Sequence, residues 1–592
     1  MLQQARQVLE KYYGYPSFRE GQESIIARIL DGTDVLGIMP TGGGKSICYQ
    51  IPALLLPGVT LVISPLISLM KDQIDTLESM GVAATFINSS LTGSEVSKRL
   101  ARAGRGEYKM IYIAPERLES DRFLSMLQDL SVAMVAIDEA HCISSWGHDF
   151  RPSYRAITSL LRELPNRPRV AAFTATATPE VISDITSYLG IGDGEVFLTG
   201  FNRENLKFSV IKGENKKDYL LRYVNENKDQ AGIVYAATRK DVDNLYEFLR
   251  KKGIAAGKYH AGLSDTERKE AQERFIFDDI RVMVASNAFG MGIDKSNVRY
   301  VIHYNMPRNM EAYYQEAGRA GRDGEPGECL LLFSPQDILI QKFLIEQTQL
   351  DPDRKANEYK KLQAMTDYCH TPRCLRQHIL RYFGEQAPDE CGNCSHCNDD
   401  LQVTDLTVDA QKIFSCIYRM KERYGSTLVS QVLKGSKSKK VLQFGFDRLP
   451  TYGIMKQYTE KEIVDLINAL IAEGYISLTE GQYPVLRLQA RASRVLKGEE
   501  PVLQKLRISR KPEPVRDDGL FERLRELRKE ISQRENVPPY VVFPDSTLRE
   551  MSEMRPTDRM SMLSVKGVGE TKFIHYGVLF MELIQEYLAE EA

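Results

Sequence analysis

The chain has 592 residues, of which 43% are hydrophobic and 27% charged, as in globular proteins, and its length suggests roughly four domains. No window approaches the ~18 uninterrupted apolar residues of a membrane span, and the N-terminus lacks the apolar core of a signal peptide, so we expect a cytoplasmic protein. The net charge of −2 gives no global attraction to nucleic acid, so such binding must come from local basic and aromatic features.

The first informative element is a glycine loop between an apolar run at 35–38 and a helix start at 47–50. Its residues are Met39, Pro40, Thr41, Gly42, Gly43, Gly44, Lys45 and Ser46. Such a loop turns backbone N–H groups toward an anion, while the lysine neutralises phosphates and the serine hydroxyl ligates Mg²⁺. The general pattern has glycine where this chain has Met39. The loop predicts a nucleoside triphosphate site.

Two adjacent carboxylates follow the apolar run 131–137, namely Asp138 and Glu139. Open parallel sheets bind ligands at the carboxyl ends of their strands, and neighbouring acids repel each other unless a cation is present. We expect Asp138 to hold the Mg²⁺ that bridges the terminal phosphates. Glu139 is then the group that orients or deprotonates the attacking water. Together with the loop, the pair predicts triphosphate hydrolysis.

Short apolar runs alternate with amphipathic stretches over the first 335 residues, which is the spacing of βαβ units. In the first layer these runs include 35–38, 60–64, 109–113, 131–137 and 170–174. The pattern restarts near 200–203 and continues with 232–236, 280–285 and 300–304. The sequence therefore predicts two α/β layers, of which the second has no phosphate loop.

The second layer carries two arginines three residues apart in a glycine-containing segment, Gln315 to Gly324, with Arg319 and Arg322. Arginines from a neighbouring domain couple triphosphate hydrolysis to domain closure, because the transition-state charge is neutralised only when the cleft shuts. A solvated arginine-rich turn is the alternative.

These motifs, in this order, resemble superfamily 2 helicases and, within them, the RecQ-type DNA helicases, over essentially the whole chain. Tyr15, Phe18, Arg19 and Gln22 resemble the adenine-reading motif of that family, and Met39 to Ser46 is its own form of the phosphate loop. The resemblance gives His141 a catalytic role beside the acid pair, and Gln315, Arg319 and Arg322 a role in the arginine-finger motif, with Arg322 as the finger. It also makes 64–73, 174–177 and 285–294 strand-contacting and coupling motifs, with Gly292 and Asp294 near the nucleotide. Ser286 stands where the family usually has threonine.

The loop that follows the acid pair contains the only tryptophan of the chain, Trp146. Aromatic rings in a polar loop with glycine and proline are good platforms for unpaired bases. The alternative is that Trp146 caps a small satellite core. The loop resembles the aromatic-rich loop of RecQ helicases, which links DNA contact to ATP hydrolysis, and the residues assigned to DNA are Trp146, His148, Phe150 and Arg151.

Cys374 is followed after sixteen residues by Cys391, Cys394 and Cys397. This spacing is typical of a four-thiolate zinc site, and disulfides are disfavoured in a reducing cytosol. Cys369 and His396 lie close enough to compete as ligands. The resemblance to the RecQ zinc module, which extends through 381–385, selects the four cysteines. Four protein ligands leave no open position, so the zinc should be structural.

Beyond residue 403 the pattern predicts a winged helix. Amphipathic stretches at 410–424 and 460–473 precede two strands, 475–478 and 485–488, joined by a short hairpin at 479–484. Lys434 and the nearby Lys437, Lys439 and Lys440 could bind duplex phosphates or form a merely solvated loop. The family places its duplex-binding winged helix here, which favours DNA.

The last segment resembles the HRDC accessory domain, with a strongly amphipathic helix at 520–530 and a glycine turn at 565–569. It follows a stretch of linker composition at 501–516. From Asp517 to Ala592 there are 15 acidic and 10 basic residues, so DNA binding should be weak and salt-sensitive unless the basic residues share one face. A protein-contact or regulatory role is the rival hypothesis.

The resemblance implies a multidomain α/β protein in which two RecA-like parallel-sheet domains precede a helical zinc-binding module, a winged helix and a small all-α HRDC domain. The expected bounds are 1–200 and 201–335 for the RecA-like domains, 336–402 for the zinc-binding module, 403–505 for the winged helix, 506–516 for a linker and 517–592 for the HRDC domain.

The predicted activity is ATP-dependent DNA unwinding with Mg²⁺ and structural Zn²⁺, with 3′→5′ polarity implied by the resemblance, in recombination and repair. The expected partners are single-stranded and duplex DNA, with a single-stranded-DNA-binding protein and other repair proteins as candidates, and we expect a nucleoid-associated monomer. An RNA helicase on the same core and a DNA-binding scaffold with a spent ATPase are the alternatives. Intact Lys45, Asp138, Glu139 and Arg322 argue against the scaffold.

Overall fold

The computed structural model describes residues 1–290, 295–398, 401–479, 484–507, 519–535 and 537–591. The first lobe is a sheet of seven parallel strands covered by helices on both faces. The strands are β1 Val35–Ile38, β2 Val59–Ile63, β3 Ala84–Ile87, β4 Met110–Ile113, β5 Val132–Ile137, β6 Arg169–Thr174 and β7 Val196–Leu198. The helices are α1 Leu2–Val8, α2 Gln22–Leu30, α3 Lys45–Leu55, α4 Ile67–Ser79, α5 Gly93–Gly104, α6 Asp121–Leu127, α7 Ala156–Glu163 and α8 Pro179–Leu189.

The strand order β3-β4-β2-β5-β6-β1-β7 decides which loops meet. Ile38 at the end of β1 is in register with Thr174 at the end of β6, and Ile137 at the end of β5 is in register with Ile63 of β2. The strands are apolar along their length because both faces of the sheet are buried. The phosphate loop, the acid pair and the motifs that start at Ser64 and Thr174 therefore emerge side by side at one edge.

The second lobe is a six-stranded parallel sheet in the order β10-β11-β9-β12-β13-β8. Its strands are β8 Leu206–Lys212, β9 Ala231–Tyr235, β10 Ala256–Tyr259, β11 Val282–Ala285, β12 Val298–His303 and β13 Gly327–Phe333. Its helices are α9 Lys216–Glu226, α10 Arg239–Lys251, α11 Asp265–Ile276 and α12 Met310–Ala317. All eight strands expected from the apolar runs are present, so the prediction of two α/β layers is confirmed.

A helical module follows the second lobe and packs against its edge strand. Its helices are α13 Pro335–Gln347, α14 Pro352–His370, α15 Leu375–Tyr382 and α16 Ser395–Asn398. Cys394 forms an isolated bridge with Phe208 of β8, and Asn393 donates to the carbonyl oxygen of Glu204 at 2.8 Å. The module and the second lobe share one hydrophobic core, which includes Cys394, Leu375 and Phe208.

The predicted winged helix has its own core around Ile413, Val432 and Ile467. Its elements are β14 Leu401–Asp405, α17 Thr407–Arg419, α18 Ser426–Lys434, α19 Lys439–Gln443, α20 Glu460–Ala472, β15 Ile476–Leu478, β16 Leu486–Leu488, α21 Ala490–Leu496 and β17 Leu503–Arg507. The antiparallel pairing of β15 with β16 confirms the expected hairpin strands, while 480–483 at its tip lie outside the described residues.

One expectation is wrong at this boundary. Leu503–Arg507 has linker composition but forms β17, which pairs antiparallel with β14. The strand forms because β14 presents an open edge whose N–H and C=O groups need partners. Residues 506 and 507 therefore belong to a paired strand, and the rest of the expected linker, from 508 onward, lies outside the described residues.

The last domain is all-helical, with a core of its own around Leu524, Phe543 and Phe580. Its helices are α22 Gly519–Glu535, α23 Pro539–Val542, α24 Asp545–Met554, α25 Arg559–Ser564, α26 Glu570–Lys572 and α27 Val578–Glu591. The domain contacts the second lobe through an ion pair of 2.6 Å between Arg549 and Glu325. It contacts the first lobe at Gly569, where an added Cβ would lie 3.4 Å from the Cα of Gly14.

Among the described residues, no helix combines the length and the apolar character that crossing a bilayer requires.

Candidate functional site

The phosphate loop leaves β1 after Ile38 and ends where α3 begins at Lys45. Gly42 and Gly44 have φ of 82° and 81°, a region that disfavours other residues. A Cβ on Gly44 would also lie 2.3 Å from Nε2 of Gln22. Backbone conformation therefore favours glycine at both positions, and a side chain at Gly44 would also displace the amide end of Gln22. Ser46 lies in the first turn of α3, next to Lys45, where N–H groups point at a bound anion.

Two residues of the predicted adenine motif, Arg19 and Gln22, contact the phosphate loop directly. Gln22 is 2% exposed and donates to the carbonyl oxygens of Gly43 and Gly44 at 3.2 and 3.3 Å. Its Oε1 accepts from the backbone N–H of Arg19, and the Arg19 guanidinium donates to the Gly42 carbonyl at 2.6 Å. Tyr15 is half-buried against the core of the first lobe. A base recognised at this motif would thus lie beside the phosphate loop.

The acid pair lies at the carboxyl end of β5, as the sequence predicts. Burial raises the pKa of Asp138 to about 7, and the charge of Glu139 adds to this effect while Lys45 opposes it. Glu139 has φ of 49°, an uncommon conformation for a residue with a side chain. Thr41 Oγ1 is buried and has no hydrogen-bond partner within the described chain.

This donor set fits Mg²⁺, which prefers oxygen ligands. A cation beside Asp138 would offset the cost of its buried charge, and Thr41 Oγ1 has unused capacity for a phosphate or a metal-bound water. The residues that would hold Mg²⁺ are Asp138 and Ser46, as the sequence predicts.

His141 connects the acid pair to two other motifs. Its Nδ1 lies 2.8 Å from the hydroxyl of Thr174, and its ring stacks on His148 with centroids 4.3 Å apart. Burial, followed by the nearby charges of His148 and Lys45, holds the pKa of His141 well below its usual range. The imidazole is therefore neutral. It contacts both Thr174 at the edge of the cleft and His148 in the loop of Trp146.

The arginine motif of the second lobe faces the phosphate loop of the first. A Cβ added to Gly42 would lie 3.4 Å from Cγ of Arg322, and one added to Gly318 would lie 3.2 Å from Cβ of Thr41. Arg319 is 5% exposed and lies close to Gly290. Gln315 is half-buried on α12, which leads into this motif. The structure therefore brings Lys45 and Arg322 to one cleft between the lobes.

Sequence reasoning missed Arg203, which joins the two lobes. Its guanidinium donates to the carbonyl oxygen of Thr41 in the phosphate loop and to those of Gly318, Ala320 and Gly321 in the arginine motif. Burial lowers the pKa of Arg203, and the nearby guanidinium groups of Arg322 and Arg19 contribute to the lowering. The only indication in the sequence was its position where the βαβ pattern restarts.

Two expected nucleotide contacts cannot be placed. Gly292 and Asp294 lie within 291–294, outside the described residues.

The loop that carries Trp146 is exposed and held at several points. Trp146 is 48% exposed, so the alternative in which it caps a satellite core is disfavoured. Two guanidinium groups lie over the ring of Phe150, those of Arg155 at 5.0 Å and Arg354 at 4.6 Å from its centroid. Arg151 pairs with Asp149 at 3.1 Å and donates to the carbonyl of Pro65 at 3.0 Å.

The three lysines assigned to duplex DNA lie away from this loop in the sequence and on a separate domain. Lys437, Lys439 and Lys440 are all exposed at the start of α19 in the winged helix. Their exposure is equally compatible with a phosphate contact and with a solvated surface.

Cys374, Cys391, Cys394 and Cys397 place their four sulfur atoms within 4.8 Å of one another. The Cys391–Cys397 and Cys374–Cys394 sulfur pairs are each 4.0 Å apart, close to the ~3.8 Å edge of a tetrahedron with Zn–S bonds of ~2.3 Å. A hydrogen bond with Cys374 and burial raise the pKa of the Cys394 thiol to about 12, so a cation is needed to hold the thiolates. The predicted zinc site is confirmed, without Cys369 or His396.

Five known families match successive parts of the chain. They are DEAD/DEAH box helicase over residues 19–185, helicase conserved C-terminal domain over 215–324, RecQ zinc-binding over 335–398, RQC domain over 401–513 and HRDC domain over 517–584.

Curated relatives match from end to end. A protein of Bacillus subtilis described as ATP-dependent DNA helicase RecQ is 53% identical over 588 residues, covering 99% of each chain. Proteins of the same description from Haemophilus influenzae and Pasteurella multocida are 41% and 42% identical, covering 99% of this chain and 96% and 94% of theirs.

Proposed function

This chain belongs to the RecQ family of ATP-dependent DNA helicases, and we propose that its residues hydrolyse ATP in the cleft between the lobes to drive 3′→5′ movement along one DNA strand. Unwinding of the duplex ahead serves recombination and repair. The polarity is supported by family membership, since the residues themselves carry no direction.

The observation that supports this proposal most directly is the approach of the arginine motif to the phosphate loop. We assign Lys45 and the N-terminus of α3 to the β- and γ-phosphates, and Tyr15, Arg19 and Gln22 to the base; the hydrogen bonds of Arg19 and Gln22 to the phosphate loop support this assignment. Arg322 reaches the same loop from the other lobe. Release of the cleaved γ-phosphate removes the charge that both lobes would contact, so the lobes separate and close again with each ATP.

Within this scheme Asp138 and Ser46 would hold Mg²⁺, which would neutralise phosphate charge when bound. Glu139 orients the attacking water and accepts its proton, while Arg319 and Gln315 support the arginine finger. Glu139 has a positive φ, and its carboxylate lies 3.3 Å from Nδ1 of His141. Gly292 and Asp294 complete the proposed nucleotide contacts.

We assign Trp146, His148, Phe150 and Arg151 to the single strand and Lys437, Lys439 and Lys440 to the duplex. The stacking of His148 on His141 supports a link between strand binding and hydrolysis, because His141 also contacts Thr174 at the edge of the nucleotide cleft. The domain bounds given above, a nucleoid-associated monomer, and contacts with a single-stranded-DNA-binding protein and other repair proteins belong to the same proposal.

Strand displacement on duplexes with a 3′ or a 5′ single-stranded tail, with ATP and Mg²⁺, tests the proposal. We expect unwinding only from the 3′ tail, and its loss in Glu139→Gln with ATP binding retained. Unwinding from the 5′ tail alone would refute the polarity, and a Glu139→Gln variant that unwinds at the normal rate would refute the role of Glu139. Stronger stimulation by RNA than by DNA would favour the RNA helicase alternative.

A further inference from the structure

A lysine of the zinc-binding module joins three domains at one point. The Lys361 side chain, on α14, is 9% exposed. Its ammonium donates to the carbonyl oxygen of Trp146 at 2.6 Å and forms an ion pair of 3.2 Å with Glu311 of α12. Trp146 belongs to the first lobe and Glu311 to the second.

Burying a lysine in this way is costly unless its charge is compensated. Glu311 supplies the compensation, and its side chain is 3% exposed. The preceding residue of the same helix, Lys360, is exposed. The burial of Lys361 is thus specific to its position on α14 and to the two groups that it contacts.

The contact with Trp146 holds the backbone of the loop while its indole stays half exposed. The N–H of Trp146 donates to Ser144 Oγ at 3.1 Å, and that hydroxyl donates to Asp184 at 2.6 Å. At the next position a Cβ on Gly147 would lie 2.3 Å from the carbonyl oxygen of His141. Without a side chain at 147 the loop lies directly against the segment that follows the acid pair.

The same helix holds the loop at a second point, where Arg354 of α14 lies over the ring of Phe150 at 4.6 Å. Arg354 and Lys361 are two turns apart and so lie on one face of α14. The zinc-binding module therefore contacts the aromatic loop at two points, in addition to the contacts that the loop makes within the first lobe.

The other end of the contact leads toward ATP hydrolysis. Glu311 lies in the first turn of α12, and the same helix carries Gln315 and runs into Arg319 and Arg322. A shift of the loop that displaces the Trp146 carbonyl would therefore change the partners of Lys361 and the position of α12.

We propose that Lys361 is a positioning residue that holds the Trp146 loop in the position that binds single-stranded DNA. It also connects the position of this loop to helix α12, which leads into the arginine motif. The inference rests on the proposed function, in which this loop binds the strand. It assigns to the zinc-binding module a direct part in coupling DNA to hydrolysis.

Intrinsic fluorescence tests the positioning directly, because Trp146 is the only tryptophan of the chain. In full-length Lys361→Met we expect stronger acrylamide quenching of Trp146 and a shifted emission maximum. The ratio of the DNA-stimulated to the DNA-free ATPase rate should fall about tenfold, as for loss of one charge-assisted hydrogen bond. Lys361→Arg, which keeps the charge and donors, should restore both readouts toward the wild type.

Lys360→Met is the matched control, since it removes the same functional group from an exposed position of α14. The single variant Lys361→Met leaves Glu311 buried without its cation, which endangers folding. The double variant Lys361→Met/Glu311→Gln removes both charges and should fold, as checked by circular dichroism, yet show the same changes in quenching and stimulation.

If quenching and stimulation in the double variant match those of Lys360→Met, the proposal is overturned. The proposed function fails in a different way, namely if the wild-type protein shows no DNA stimulation at all. In that case the quenching comparison still decides whether Lys361 holds the loop.

Discussion

Replacing Arg203 with methionine should uncouple the two lobes without unfolding either of them. The side chain makes one hydrogen bond across the cleft, to the carbonyl of Thr41, and four within the second lobe, to the carbonyls of Gly318, Ala320 and Gly321 and to Oδ1 of Asn205. Methionine keeps much of the apolar volume and removes all five bonds together with the buried charge.

The magnitude follows from the contacts. A hydrogen bond from a charged donor contributes about 1.5–3 kcal/mol, so losing the one bond across the cleft should lower kcat/KM for ATP about 10- to 100-fold. The bonds within the second lobe hold the loop before Arg322, so their loss adds to this effect. The free energy of unfolding should change less than the activation free energy for hydrolysis, because removing the guanidinium also removes the cost of burying it.

The assay is DNA-stimulated ATP hydrolysis at saturating single-stranded DNA, with the unfolding midpoint measured in parallel. The kcat/KM of Arg203→Lys should lie between those of wild type and Arg203→Met. An ammonium lacks the planar array of donors with which the guanidinium reaches four carbonyls. Arg222→Met is the control, since Arg222 is 56% exposed and forms an ion pair with the surface residue Glu214. A kcat/KM within about threefold of wild type in a folded Arg203→Met would refute the reasoning.

Three further predictions concern other parts of the chain. Trp146→Ala should keep ATP binding but lose stimulation of the ATPase by single-stranded DNA, so stimulation at the wild-type level would contradict its assignment. Stripping zinc with a chelator should lower the unfolding midpoint and the stimulated ATPase together, because Asn393 and Arg376, which flank the cysteines, hold the backbone of residues 203–206. Burial opposes ionisation of Asp278, but Lys295 at 2.6 Å outweighs it and lowers the pKa of Asp278 to about 2. Since this is below the unfolded value of about 3.9, ionised Asp278 should stabilise the fold above pH ~5, and this contribution should be lost as the pH falls toward 2. The stability difference between wild type and Asp278→Asn should shrink over the same range, and a constant difference would contradict the shifted pKa.

The sequence alone predicted the features that depend on neighbouring residues. The phosphate loop, the acid pair and the four cysteines lie on short segments whose spacing is set by one turn or one strand end, so local chemistry restricts what they can do. The strands of both lobes could also be predicted from local sequence, because a strand buried on both faces is apolar along its length.

The linker shows where this reasoning failed. Residues 503–507 carry no strand pattern strong enough to outweigh the prolines around them. They form β17 because β14, about a hundred positions earlier in the chain, offers an unpaired edge. Pairing of this kind is decided by packing and not by composition.

The contacts that connect the motifs were decided only by the tertiary structure. Arg203 meets Thr41 across 162 positions of sequence, and Lys361 meets Trp146 across 215. Neither residue type is unusual in a globular protein, so nothing local distinguishes these two from the many solvated cations of the chain. The sequence determined which chemistry each segment can perform, while the packing of the lobes and the zinc-binding module determined which segments act together. The physical reason is that a buried cation can bond only to the partners that the fold brings to it.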